Sequence, residues 1–374
     1  MAKVYDTATD LITFARLQAQ NTTSGSSYLG SDGLLKFAAE DEPRIEYGSD
    51  GSLKGLLIEE QRTNLVTYSE DFSNAGWSKN GSTAIDSTLV TGPDGTLSGR
   101  RLLNFDSETG DRLVEVVSVS NATITGSIWV KGEGANVGKD ITLVVKRNGG
   151  TFVADTLNHT LSSEWVRLDG TFTQLPDNTG ASLVLKHPEN GNEASEVLIY
   201  GAQLEEGTFA TSYIPTSGST VTRSPDIASI PVSAFGYNQD AGTVVVEATA
   251  YAGNPNNANY ASLGNAALTD FVRLWTWEGQ TSHIRWTGTN FDVVIPFTSG
   301  TAEKFAGAYA QDNYNIALDG AAATPDTSGA QTLIGSVLRL GAKTSATEFL
   351  NGHIKSIQYY PRRLTDAQLQ ELTA

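Results

Sequence analysis

The sequence predicts an all-β chain: two tandem antiparallel β-sandwiches after a small loop-rich N-terminal region, closed by one short helix. Three observations predict it. Short apolar segments alternate with period two. Thirty-seven glycines among abundant Ser, Thr and Asn mark many tight turns. A helix start signal stands only near the C-terminus. Of the 374 residues, 39% are hydrophobic and 18% charged, enough for real cores and too little charge for a disordered chain. That length calls for two or three domains.

Residues 1–64 hold short apolar stretches among turn residues, with Ser31-Asp32-Gly33 and Ser49-Asp50-Gly51 as turns. The region is too small for a sizeable core. It is expected to lie against a neighbour or a partner chain and to serve attachment or oligomerisation. Residues 65–216 read as a jelly roll. In 122–130, Ile124, Ile128 and Val130 share a face; in 140–146, Ile141, Leu143 and Val145 do. Segments 164–172 and 196–204 continue the pattern, and Gly149-Gly150 and Asn190-Gly191 mark hairpin-type turns. Trp129 and Trp165 lie on these strands as core candidates. A Ser/Thr/Pro/Gly-rich stretch, 217–240, reads as a linker. Residues 241–374 form the second sandwich, with strands at 242–251, 270–277, 282–287, 291–297, 303–310, 313–318, 337–341 and 353–359. Asp319-Gly320 marks a turn. Thr365 and Gln368 have capping-box spacing, and Leu369 and Leu372 then face inward.

Charge and composition exclude several functions. A net charge of −17 opposes nucleic acid and anionic lipid surfaces. With no cysteine there is neither a disulfide nor a thiolate metal site. Met1–Asp6 lacks an apolar signal core, and no run approaches the ~18 apolar residues of a membrane span. Synthesis in a cytoplasm is therefore expected. Gly132–Asp140 resembles a phosphate loop only briefly: Glu133 stands where the first glycine belongs and Asp140 where Ser or Thr would hold magnesium. It reads as a hairpin loop. His159, His187, His283 and His353 lack ligand partners at metal spacing, and no nucleophile elbow occurs. Glu59-Glu60 and Glu205-Glu206 are adjacent on strands and point to opposite faces, so neither is a two-carboxylate glycosidase site. They read as structural or solvated carboxylates, and no catalytic residue is assigned. Trp275, Trp277 and Trp286 are either an exposed sugar-stacking platform or core and interface residues.

Three sets of residues carry resemblances. Glu303–Ala310, Tyr314–Gly320 and Phe349–Leu372 resemble, in order and type, the central hairpin, closing strand and helix of laminin-G/concanavalin A-like domains. Ser127–Lys131, Glu164–Leu168, Gly201–Thr208 and Thr211–Pro215 resemble strands of a carbohydrate-binding-module jelly roll. Asp10–Arg16, Tyr28–Leu34, Glu42–Tyr47, Gly55–Leu65 and Tyr68–Trp77 resemble modules of tailed-bacteriophage structural proteins, with extra residues at about 17–26.

These resemblances imply a non-enzymatic virion protein: a head or tail fibre, spike or decoration that displays lectin-like modules for host-surface attachment. Its expected place is the virion surface, after synthesis in the host cytoplasm. Its expected partners are other virion proteins, copies of itself (a trimer is one arrangement) and a host glycan. The alternative is a polysaccharide depolymerase or glycosidase with accessory sandwiches. The jelly-roll resemblance also implies a structural calcium near Glu70 and Asp71, with Gln203 or Glu205 from the closing strand. The acidic loop Asp106–Asp111 is a second place for one, or a solvated turn.

Overall fold

The computed structural model describes residues 3–4, 13–16, 26–105, 110–119, 122–148, 154–173, 179–188, 190–251, 254, 258–265, 270–277, 281–286, 291–296, 303–328, 335–343, 346 and 348–374. Among the described residues the chain is all-β with one short α-helix, and its strands pair antiparallel. It forms two compact units. One comprises 18–39 and 62–223; the other comprises 1–17, 40–61 and 224–374.

The first unit is the jelly-roll sandwich. One sheet runs Val90–Thr91, Leu97–Leu103, Val197–Glu206, Ile124–Lys131, Val166–Phe172, with Ala84–Ile85 also on Leu97–Leu103. The facing sheet runs Ala154–Thr160, Asp140–Asn148, Gly180–Lys186, Arg112–Val117, Ser78–Asn80. Alternation decides what lies between them: Ile124, Ile128, Val130, Ile141, Leu143 and Val145 are all core residues. Val197–Glu206 changes its inward parity partway, from Val197 and Ile199 to Ala202 and Leu204. A bulge opposite Ser127 and Trp129 causes the switch, with Gly201 at φ 59. A Cβ at Gly201 would stand 3.2 Å from Trp129 and Tyr213, so glycine suits both the backbone and the space.

Trp129 and Trp165 are not inter-sheet core. Both are half-buried and pack with Leu35, Phe37, Tyr200 and Tyr213 in a separate cluster. The core tryptophan is Trp77, which stands against Phe72 at 4.9 Å between ring centroids. The hairpin Ser27–Leu29/Leu35–Phe37 supplies two members of the separate cluster, so 18–39 belongs with this unit. Gly132–Asp140 is likewise not a hairpin loop. It joins strands of different sheets and carries a 3-10 turn at Gly134–Asn136. Gly149-Gly150 lies outside the described residues.

The second unit stacks two larger sheets. Seven strands run Ala321–Ala322, Asn315–Leu318, Glu303–Ala310, Ala241–Ala250, Gly352–Tyr360, Leu53–Ile58, Ile45–Tyr47, and Lys3–Val4 pairs with Gly352–Tyr360. The facing sheet runs Thr13–Ala15, Ile227–Pro231, Val337–Leu340, Asn259–Gly264, Asp270–Trp277, Thr281–Trp286, Phe291–Pro296. Leu56, Ile58, Val244, Val246, Phe305, Tyr309, Leu338 and Leu340 fill the space between.

Asn190-Gly191 closes no hairpin, because it joins Gly180–Lys186 to Val197–Glu206 of the other sheet, whereas the Asp319-Gly320 turn sits where expected. Asp319 and Gly320 both take positive φ, as a two-residue hairpin turn requires. The helix Asp366–Thr373 has its Thr365–Gln368 capping box. It packs Leu369 on Val245, Ala306, Ala308 and Ala317, whose small side chains allow close approach. We expect Thr365→Ala to cost about 1 kcal/mol of stability, read as a lower urea midpoint. An unchanged midpoint would show that packing alone holds the helix.

The compact units divide the chain differently from the sequence-based boundaries. Residues 1–64 are not a separate region: their segments supply strands to both units. Nor is 217–240 a bare linker. Val221–Arg223 pairs with Arg62–Asn64, and Ile227–Pro231 pairs with Val337–Leu340. The physical reason lies in Ala228 and Ile230, which are core residues despite the turn-rich composition around them.

Candidate functional site

The outer face of the five-stranded sheet carries an open groove of about 370 Å³, within the roughly 300–1,000 Å³ usual for ligand sites. Residues one step out of phase with the core positions build it. Register places Ser78, Val114, Val184, Val144 and Thr156 in one row across five strands. Two residues along, on one side, come Asn80, Arg112 and Lys186; on the other comes Lys146. All nine line the groove, and no carboxylate is among them.

Val144 and Val184 are only 8% and 5% exposed although they point away from the core. Longer neighbours wall them in, a use of Lys and Arg stems along apolar surface. The result is an apolar floor with three cationic heads and three neutral hydrogen-bonding side chains around it. None of the three cations has an ion-pair partner among the described residues. Such an arrangement can hold a flat, partly apolar, hydrogen-bonding molecule. The sequence did carry a signal for it. Assigning Ile141, Leu143 and Val145 to the core also places Val144 and Lys146 on the opposite face.

A second groove, about 320 Å³, is lined by Tyr68, Glu70, Asp71, Leu89, Leu97 and Arg100 among others. Glu70 Oε1 accepts from Tyr213 Oη at 2.9 Å. Burial pushes its carboxyl above the usual range, against the hydrogen bonds from Tyr213 and Tyr200. Asp71 Oδ1 accepts from Ser73 N at 3.2 Å and closes a local turn.

The four residues expected around a calcium ion divide into two pairs. Glu70 and Asp71 share that groove, whereas Gln203 and Glu205 are fully buried and bonded to each other, Nε2 to Oε1 at 2.7 Å. Glu205 also accepts from Thr211 N and Oγ1, at 2.9 and 2.6 Å, and Gln203 Oε1 accepts from Ile214 N at 2.7 Å. Their oxygens are thus engaged in pinning the chain's return at 211–214. No group of three or more His, Asp or Glu side chains placed to hold a metal occurs among the described residues. The set does not fit one calcium shell. Residues 106–109 of the other acidic loop lie outside the described residues.

Trp275 is 2% exposed, and the Arg273 guanidinium covers its ring at 4.0 Å. It offers no open face to a sugar. The backbones of Trp277 and Trp286 lie in strands opposite Thr281 and Phe291. Their side chains lie outside the described residues. Glu59, from the first carboxylate pair, is fully buried and pairs with Arg44 at 2.8 Å.

No protein-family model matches this chain. No curated protein matches it either. Among solved structures, it is similar to the Ruminococcus gnavus IT-sialidase CBM40 bound to alpha2,3 sialyllactose. The identity is 16% over 37% of this chain and 84% of that one, with a TM-score of 0.33. The N-terminal CBM22-1-CBM22-2 tandem domain from Paenibacillus barcinonensis Xyn10C aligns over 79% of this chain and 97% of that one, at 12% identity and a TM-score of 0.32. Trypanosoma rangeli sialidase in complex with the inhibitor DANA aligns at 15% identity over 39% of this chain, with a TM-score of 0.32. This chain spans only 25% of that sialidase's length. Likenesses of this size transfer neither a ligand nor a site.

Proposed function

We propose that the chain is a non-enzymatic structural protein of a phage particle, a fibre, spike or decoration, that binds a host-surface glycan. It is carried on the virion surface after synthesis in the host cytoplasm, as an oligomer among other virion proteins. The observation that carries the binding reading is the open groove across five strands, with its valine floor and polar rim. Sugars present C–H faces and hydroxyls together, and Val114, Val144 and Val184 beside Ser78, Asn80 and Thr156 match both. The virion reading is supported by the bacteriophage-type stretches in residues 10–77.

A glycan array with the full chain tests the binding. We expect at least one glycan bound, and binding lost in Val114→Glu with an unchanged circular dichroism spectrum. An array without a hit leaves a purely structural role. Copy number in purified particles tests the second half, and absence of the protein from virions would overturn it.

One observation favours a second reading, a polysaccharide-cleaving enzyme. Glu70 and Asp71 both line the second groove, and glycoside hydrolysis draws on two carboxyl groups at one cleft. Shortening of an oligosaccharide that stops with Glu70→Gln would establish it; intact oligosaccharide after long incubation would remove it.

A further inference from the structure

We infer that the five-strand groove selects an anionic saccharide, one bearing carboxylate, phosphate or sulfate groups. This assignment rests on the glycan-binding reading of the same groove and names its ligand class. The chain as a whole carries −17, yet the groove gathers Arg112, Lys146 and Lys186, and no carboxylate lines it among the described residues. A neutral sugar needs none of these charges. Arg112, which is exposed, and the half-buried Lys146 and Lys186 have no ion-pair partner among the described residues, and together they leave a positive field that an anion would satisfy.

Their spacing bears on the ligand's size. Arg112 and Lys186 are direct cross-strand partners, and Lys186 in turn faces Thr142. Lys146 stands four residues further along that strand, about 13 Å away at ~3.3 Å per residue. The valine row lies between. The geometry therefore suits an anionic group at each end of a short, less polar stretch, as in an acidic oligosaccharide.

Nucleic acid fits less well. Single strands bind by stacking bases on aromatic side chains, and the groove lining has none. A long duplex would also meet the repulsion of the remaining acidic surface.

Calorimetry with the full chain tests the inference. The probes are polygalacturonate, a glycerol-phosphate polymer, dextran sulfate, neutral dextran and a DNA oligonucleotide. We expect one of the three anionic polymers to bind and neutral dextran not to bind; which one binds identifies the anion. Lys146→Gln and Lys186→Gln, checked for unchanged thermal midpoints, should each weaken binding about tenfold, the loss of one charge-assisted hydrogen bond. Equal binding of neutral dextran, unaffected by both variants, would overturn the charge selection and leave glycan binding standing. Failure of every polysaccharide here and on the array would overturn both. Oligonucleotide binding tighter than any polysaccharide would overturn the saccharide assignment.

Discussion

Asp226→Asn should cost the second unit about 3–5 kcal/mol, the usual loss when one partner of a buried ion pair is removed. Asp226 is fully buried between two arginines. Its Oδ1 accepts from Arg16 at 2.9 Å, and its Oδ2 accepts from Arg44 and from Glu59 N, the latter at 2.9 Å. Arg44 also pairs with Glu59 at 2.8 Å, and Arg16 reaches the Glu42 carbonyl at 2.8 Å. Among the described residues, these ion pairs set two arginines against two carboxylates. Removing one negative charge leaves an arginine uncompensated away from water. Against a typical stability of about 5–15 kcal/mol, that loss is severe. A drop in urea midpoint with an unchanged slope checks it. A cost below about 1 kcal/mol would mean that water reaches the cluster. This cluster also joins three segments distant in sequence: Arg16, Arg44 with Glu59, and Asp226. Substituting it should therefore release the N-terminal strands as well as loosen the core.

Raising the pH from about 5 to about 8.5 should lower stability through Glu303, and Glu303→Gln should remove that part of the loss. Glu303 is 1% exposed and accepts from the Tyr260 hydroxyl; its Oε1 has no hydrogen-bond partner among the described residues. Burial pushes its carboxyl up from 4.5 to about 8, against the lowering effect of Tyr260. Between those values the folded chain keeps a proton that the unfolded chain has released. The stabilisation is full below pH 4.5 and declines as pH rises to about 8. Every pH unit separating the folded from the unfolded value is worth about 1.4 kcal/mol, so parent and variant should come to differ by a few kcal/mol. Glutamine keeps an acceptor for Tyr260 and cannot ionise. Thermal midpoints of both proteins across roughly pH 4–9 check this: the two curves should diverge with rising pH. Parallel curves would show that Glu303 titrates in the fold as it does in the unfolded chain. Glu115 should act in the same direction in the jelly roll, where burial raises it to about 7.

What was legible in the sequence is local. Period-two alternation placed Ile141, Leu143 and Val145 inside because strand parity is set by neighbouring residues. The Asp319-Gly320 turn and the Thr365–Gln368 cap depend on a few adjacent residues and were equally readable. The groove lay half in view. Parity put Val144 and Lys146 on the outer face, but Arg112, Lys186 and Lys146 become neighbours only through the pairing of Asp140–Asn148 and Arg112–Val117 with Gly180–Lys186. Trp275 illustrates the converse. Its spacing from Trp277 implied a shared face, and only packing with Arg273 decided that its face is covered.

The all-β class, the two sandwiches and the capped helix follow from the sequence, because each is written in patterns a few residues long. The division of the N-terminal segments between the two units was decided by tertiary structure alone. A short strand such as Thr13–Ala15 gains stability only from a partner far along the chain, Ile227–Pro231, and the local pair Ile45–Tyr47 with Leu53–Ile58 joins its sheet only through Gly352–Tyr360. Likewise, the charge at Arg44 is tolerable in the core because Asp226, 182 residues away, arrives beside it together with Glu59.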